Sequence, residues 1–330
     1  MKTKFILFVI AVLTFNSCEE SVPVRKVAKA VYVAGWEGNV AKYWKNGSAT
    51  TLSNGVNPAR ANSIFVSAGD IHVAGRENLG NGNAIAKYWK NGIPTNLTDG
   101  TEYAGAHSVF VSGSDVYVAG HEGNAAMLWE NGIPTILSAV GNAYSVFVSG
   151  SDVYVAGWDG LVATYWRNGI VTNLTDGTNG NAAAHSIFVS GSDVYASGSE
   201  YPGNVTENAI YWKNGIATIL PDAGGWSHAS SIFVKGSNVH VTGWDSEVSG
   251  HKIKYWKNGV AATLNEEDDE SGSGNSIFVL GSDVYVAGYE GNVAKYWKNG
   301  VPTSLTNGVS SAFASSIFVV GITSVDSFTN

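Results

Sequence analysis

Cysteine is all but missing: Cys18 stands alone among 330 residues. No internal disulfide can form, so the fold must hold by packing. Charge is scarce too. Asp, Glu, Lys and Arg make up 14% of the chain, against roughly 25% in an ordinary soluble domain. The balance is acidic, with a formal net charge of −8, and no basic stripe exists to displace counterions from phosphate, which argues against a nucleic-acid partner. The sequence holds no Gly-x-Ser-x-Gly, no His-Glu-x-x-His and no phosphate-cradling glycine loop. Serine-hydrolase, zinc-protease and nucleotide chemistry therefore have no support.

What is abundant is glycine, 40 residues of it, well above the usual ~7%. With many Val, Ile, Tyr and Trp, this composition describes an all-β protein with tight hairpins. A three-part phrase recurs through the chain. Ser-Ile/Val-Phe-Val begins at Ser63, Ser108, Ser145, Ser186, Ser231, Ser276 and Ser316. Val-Tyr-Val-Ala-Gly or a variant ends at Gly35, Gly75, Gly120, Gly157, Gly198, Gly243 and Gly288. A Trp followed by a charged residue and Asn-Gly stands at 44, 89, 129, 166, 212, 256 and 297. Trp-to-Trp spacings of 37 to 46 residues fall in the period range of solenoids, propellers and arrays.

Each unit predicts four short strands: Ser-Ile-Phe-Val, Val-Tyr-Val-Ala-Gly, Ala-Lys-Tyr-Trp, and a fourth after Asn-Gly. Both residues of Asn-Gly tolerate positive φ, which makes it the strongest short hairpin signal. Four antiparallel strands in ~40 residues, seven times over, predict a seven-bladed β-propeller. Tyr43 and Trp44 are adjacent and point to opposite faces, as a blade covered on both sides requires. The first unit starts at its second strand, near Val31, and the last is followed by an orphan Ser316-Ile317-Phe318-Val319. Inserting the orphan into the first blade completes seven sheets and closes the ring. The propeller is expected over 31–321, with a tail at 322–330.

In this strand order one rim carries the uniform Gly-Ser-Asp and Asn-Gly turns, and the other carries variable loops. Function is expected on the variable rim, because loops on a rigid scaffold hold binding groups. Directly after each second-strand Gly comes a pair ending in an acid: Trp36-Glu37, Arg76-Glu77, His121-Glu122, Trp158-Asp159, Ser199-Glu200, Trp244-Asp245 and Tyr289-Glu290. Aromatic faces stack on the apolar face of sugars or on cations, and the acid accepts hydroxyl hydrogen bonds. The plainer alternative has each carboxylate capping backbone donors in the next turn. A second ring, Asn62, His107, Tyr144, His185, Ser230, Asn275 and Ser315, precedes the first strands near the channel mouth.

The densest cluster of chemistry falls on blades 2 and 3: Arg60, Arg76, Glu77, Tyr103, His107, His121 and Glu122. An Arg that neutralises a carboxylate beside a His or Tyr proton-transfer group suits a polysaccharide lyase. Glu77 and Glu122 would instead be the carboxylates of a glycoside hydrolase. No metal or other cofactor is expected. Ca²⁺ has only two loose candidates: the acidic run Glu266–Glu270, which lacks ligand alternation, and the loop Asp176–Asn181, which has Ile187 where a Glu would stand at the twelfth position.

The N-terminus has Lys2 and Lys4, then an apolar stretch Phe5–Phe15 too short for a spanning helix, which reads as a signal peptide over 1–17. Phe15-Asn16-Ser17-Cys18 resembles a bacterial lipobox, with Phe15 where Leu is usual. That resemblance implies lipidation of Cys18 and an anchor without a membrane span, with residues 18–30 as tether. Glu19-Glu20 resembles the export tag of surface lipoproteins of Bacteroidetes. Ala-Lys-Tyr-Trp-Lys-Asn-Gly (41–47, 86–92, 294–300) resembles the repeat of propeller lipoproteins from the same group, and the plan is similar to that of propeller lectins. These resemblances imply a monomer in the cell envelope, lipid-anchored to the outer membrane and surface-exposed if the export tag operates. It would bind a glycan or a protein at its variable rim. The alternatives are a polysaccharide-cleaving enzyme and a scaffold subunit of an outer-membrane complex.

Overall fold

The computed structural model describes residues 28–322 apart from 179, 205, 222–224, 248–249 and 266–270. The signal segment, Cys18, most of the tether, the acidic run 266–270 and the tail after Ile322 lie outside the described residues. The described residues form twenty-eight strands and one short 3-10 turn, Pro202–Asn204, joined by turns and loops. The strands form seven four-stranded antiparallel sheets in a ring, a seven-bladed β-propeller.

Blade 1 is built from both ends of the chain. Ala312–Ile322 is its inner strand, and Ala28–Glu37, Val40–Lys45 and Ser48–Thr51 follow outward. The pairing runs from Ala28↔Ile322 to Glu37↔Ala312, so the closing strand meets the front strand over its full length. The inner strands of blades 2 to 7 begin at Ala59, Ala104, Gly141, Ala182, Ser227 and Gly272.

Each word of the repeat has a physical task. The Trp residues of the third strands are wedged between blades and are at most 1% exposed. Trp44 faces blade 7, packed with Tyr285 and Ala287, while its neighbour Tyr43 packs toward blade 2 against the cluster that holds Trp89. Alternation is lost because both faces of each blade are interior. The seven Phe residues, Phe65, Phe110, Phe147, Phe188, Phe233, Phe278 and Phe318, touch in a closed circuit with centroids 4.7–5.1 Å apart and rings tilted 47–55°. Tilted pairs at this spacing are a favoured aromatic geometry, contributing about 0.5–1.5 kcal/mol each beyond area burial. Each Ser of Ser-Ile/Val-Phe-Val accepts a backbone N–H from the next blade, as Ser63 does from Val109 and Ser276 from Ile317. The seven bonds chain head to tail around the axis.

The turn rim is uniform for equally local reasons. The Asn residues of all seven Asn-Gly turns have φ of 51–52°, and their glycines 79–84°, as a type I′ hairpin requires. Each Asn side chain then accepts an N–H from the start of the second strand, as Asn131 does from Val116. In six blades the same Asn also donates to the turn residue there, Asp115 in blade 3 and Asn238 in blade 6.

Candidate functional site

Every inner strand skips one residue of its pairing just before the Ser: Asn62, His107, Tyr144, His185, Ser230, Asn275 or Ser315. These β-bulges re-aim a side chain at the channel mouth. Opposite each bulge stands the Gly of Val-Tyr-Val-Ala-Gly. A Cβ there would meet a backbone carbonyl oxygen at 1.7–2.0 Å, Asn142 O at 1.9 Å for Gly157 and His228 O at 1.7 Å for Gly243. The next residue of the second strand is the first member of the aromatic–acid pair, and it lies directly across from the residue three before the Ser. The partners are Trp36↔Phe313, Arg60↔Arg76, Gly105↔His121, Asn142↔Trp158, Ala183↔Ser199, His228↔Trp244 and Ser273↔Tyr289. The two rings read from the sequence are thus interleaved around one mouth.

Their environments differ from blade to blade. Trp36 lies between Phe313, stacked at 4.5 Å and 13°, and the guanidinium of Arg60, 3.7 Å from the ring centre. Phe313 also packs on Tyr289 at 3.9 Å. Trp244 is flanked by His228 and by His251, the latter 4.2 Å away and nearly parallel. Both of these indoles are therefore engaged within the protein. Trp158 differs: its Nε1–H donates to the Tyr144 hydroxyl at 3.1 Å, and the ring lines a pocket of about 190 Å³ with Leu161, Asn181, Ala182, Ala183 and Tyr201. This pocket opens on the variable rim between blades 4 and 5.

Five of the seven acids have protein partners. Glu37 pairs with Lys42 at 2.5 Å, Glu77 with Lys87 at 2.5 Å and with Asn57, and Glu290 with Lys295. Asp245 is fully buried, 3.7 Å from Lys254. Asp159 accepts the Ser138 hydroxyl. Burial, with Asp99 and Glu102 nearby, raises the Glu122 carboxyl above its ordinary range. In these four lysine pairs the cation comes from the facing third strand, so Glu37, Glu77, Asp245 and Glu290 tie the two strands together.

On blades 2 and 3 the structure brings Arg76, Tyr103, His121 and His107 into one chain of contacts. Arg76 lies over Tyr103 at 5.6 Å, Tyr103 stacks on His121, and His121 Nδ1 is 3.0 Å from His107 Nε2. Burial, then His121 and Arg76, lower His107 to about 3, which keeps it neutral. Arg60 is directly across the strand pair from Arg76, and burial and that like charge lower its pKa. Glu77, held by Lys87, stands apart from this chain of contacts.

A second cluster, on blades 5 and 6, is not legible as a repeat. Glu207, 3% exposed, receives His228 Nδ1 at 2.6 Å. Burial pushes Glu207 up, but hydrogen bonds from His228, Tyr201 and Ser199 outweigh it and hold the carboxyl low. Burial and the Glu207 contact push the Tyr201 hydroxyl up to about 12. His185 Nε2 lies 3.5 Å from the Ser199 hydroxyl, and its ring packs on His228 at 4.3 Å and on Tyr144 at 4.9 Å. Glu207 and Tyr201 enter only because blade 5 has a longer loop between its second and third strands, Glu200 to Asn208. That length is the one sequence signal that points to them. Among the described residues no three His, Cys, Asp or Glu side chains gather as a metal site. Asp176 accepts from Thr178 within its own loop.

No family model matches this chain, and no curated protein matches it. Among solved structures it is similar to the computationally designed Ika8 protein, at 14% identity and TM-score 0.45, covering 85% of this chain and 87% of that one. It is also similar to a chain of a nidogen/laminin complex, at 8% identity and TM-score 0.48, covering 88% of this chain and 98% of that one.

Proposed function

We propose that this chain is a glycan-binding propeller of the cell envelope, anchored through Cys18, whose principal subsite is the pocket between blades 4 and 5. The observation that carries the reading is the pairing of Trp158 and Tyr201 as aromatic walls of one cavity, with Asn181 beside them. Aromatic faces take the C–H face of a sugar ring, and an amide and a phenol supply directional hydrogen bonds. At about 190 Å³ the pocket is smaller than the ~300–1,000 Å³ of drug-sized ligand sites, so it suits one ring of a longer chain lying across the rim. Trp36 and Trp244, covered on their faces, support the mouth in this reading. A glycan array probed with the full chain is the test. Binding that is lost in Trp158→Ala and Tyr201→Ala but kept in Trp36→Ala supports the subsite; no binding to any glycan, or equal binding by Trp158→Ala, overturns it.

The contact between His107 and His121, with Arg76 and Tyr103 alongside, favours a second reading as a polysaccharide lyase. Neutral His107 would accept the proton α to a uronate carboxylate that Arg76 neutralises. Release of unsaturated products from uronate polymers, followed by ultraviolet absorbance, would support it. A flat trace for the wild-type chain, or an unchanged one for His121→Ala, removes it.

A further inference from the structure

We propose that the turn rim of blades 6, 7 and 1 is a docking face for a bilayer with anionic headgroups. Three observations converge there.

The first is apolar. The residue that follows Asn-Gly is an exposed Ile or Val in every blade but the first, where it is Ser48; on the proposed face these are Val260 and Val301, 73% and 67% exposed. These residues begin the outer strands, so the propeller carries a belt of side chains that β-branching suits to a strand but water does not favour. Single exposed apolar residues need no explanation; a repeated belt does.

The second is charge. The residue before Asn-Gly is usually basic, and in blades 2, 4 and 5 it pairs with the turn aspartate: Lys90 with Asp70, Arg167 with Asp152, Lys213 with Asp193. On the other side of the ring this neutralisation is incomplete. Asn238 stands in the aspartate's place in blade 6, where it receives Asn258. Asp283 of blade 7 is shared by Lys298 and Lys29, and Lys235 reaches the carbonyl of nearby Gly281. Lys45 and Lys257 add to the same arc. Among the described residues, Asp283 is the one carboxylate facing these five lysines at the turns of blades 6, 7 and 1. Within this arc a cleft of about 440 Å³ opens between blades 6 and 7, with Val284, Val286, Tyr255 and Trp297 inside and Lys257 at its edge.

The third is where the chain enters. Ala28 and Ile322 pair with each other at this rim, so the polypeptide joins the propeller at the blade 1 end of the cationic arc. Cys18 is ten positions before Ala28, within ~35 Å of extended chain. On the opposite rim Glu37, Glu77 and Glu290 are paired with Lys42, Lys87 and Lys295. Glu122, Asp159 and Glu200, which pair with no lysine among the described residues, add negative charge that an anionic surface repels. Cationic side chains at such a surface each contribute about 1 kcal/mol, and aliphatic side chains between them add burial at the headgroup boundary. The propeller would stand with its variable mouth pointing away from the lipid. This inference concerns orientation and is independent of the glycan reading.

The test is made on the full chain in a Cys18→Ser background, which removes any attached lipid. An environment-sensitive fluorophore is placed at Val260→Cys, Val301→Cys or, on the opposite rim, Val309→Cys, a position that is 85% exposed. Vesicles of phosphatidylcholine with phosphatidylglycerol are compared with pure phosphatidylcholine. A blue shift and quenching by lipid-borne quenchers at 260 and 301 but not at 309, reversed by salt, support the proposal. Lys257→Glu with Lys298→Glu should then weaken vesicle binding by more than about tenfold, each reversal removing an attractive ~1 kcal/mol and adding repulsion. Equal signals on both rims, no signal on either, or full binding by the charge-reversed chain overturns it. A shift that appears without vesicles as protein concentration rises would identify a second copy as the occupant and likewise overturn the lipid assignment.

Discussion

The hydroxyl of Ser316 accepts the backbone N–H of Ile64 at 3.2 Å, across 252 positions of chain. It belongs to a circle of seven such bonds, and it joins the strand that closes blade 1 to the first complete blade. Removing the hydroxyl leaves a buried amide without its acceptor. Ser316→Ala should cost about 1–3 kcal/mol, read as a lower denaturation midpoint with an unchanged slope. Stopping the chain before Ser316 should do far more, broadening the transition and expanding the molecule in small-angle scattering.

Gly157 stands opposite the bulge at Tyr144, where a Cβ would lie 1.9 Å from the Asn142 carbonyl. Neither atom is at the end of a flexible side chain, so the backbone must move. Gly157→Ala should destabilise by roughly 3 kcal/mol or more. Gly113→Ala, at φ +61° with nothing near its Cβ, should cost about 1–2 kcal/mol. Thermal melts of the two variants separate steric from conformational cost.

Asn131 combines positive φ with two side-chain bonds, from Val116 N–H and to Asp115. Asn131→Ala loses both bonds and gains left-handed strain, a cost of about 2 kcal/mol. Asn131→Gly keeps the backbone preference and should recover about half of that loss.

Stability should fall as the solution is acidified below the histidine range. Burial holds His107 down to about 3, and burial followed by His228 and His107 lowers His185 well below its ordinary value. The unfolded chain therefore takes up these protons first, from about pH 6.5. Each group then removes up to ~1.4 kcal/mol per pH unit until its folded-state value is reached. The replacement that tests this is already present in the chain. Asn62 and Asn275 occupy the same bulge position and donate to Ala106 O and Ala314 O of the next blade. His107→Asn should fold and show a shallower loss of melting temperature between pH 6.5 and 3 than the parent.

The ring, its closure and the uniform rim were readable because each rests on a residue that recurs for a local reason: Asn for positive φ, Gly for the space beside a bulge, Trp for the blade interface. Ring closure followed from an orphan strand, and Ala28–Glu37 pairs with it as that arithmetic requires. The mouth was only half readable. The residues after each Gly stood out by their recurrence, but what covers them depends on cross-strand partners three positions before each Ser, which vary freely. Phe313 and Arg60 over Trp36 carry no repeat signature, so spacing could not reveal that this indole is enclosed. Glu207 and Tyr201 lie in the lengthened loop of blade 5; blade 2 lengthens the same loop between Asn78 and Ala84 but fills it with other residues, and a reading tuned to repetition passes over both.

Because the inner edge of its first strand has no partner until the final strand arrives, this protein cannot finish folding while it is being made. At about 5–20 residues per second, roughly 15 s to a minute separates the emergence of Ala28–Glu37 from that of Ala312–Ile322. Throughout that interval the nascent chain presents a bare apolar edge. Whatever machinery receives it from the ribosome must shield that edge, and an exporter would meet an open arc of blades that has not yet become a disc.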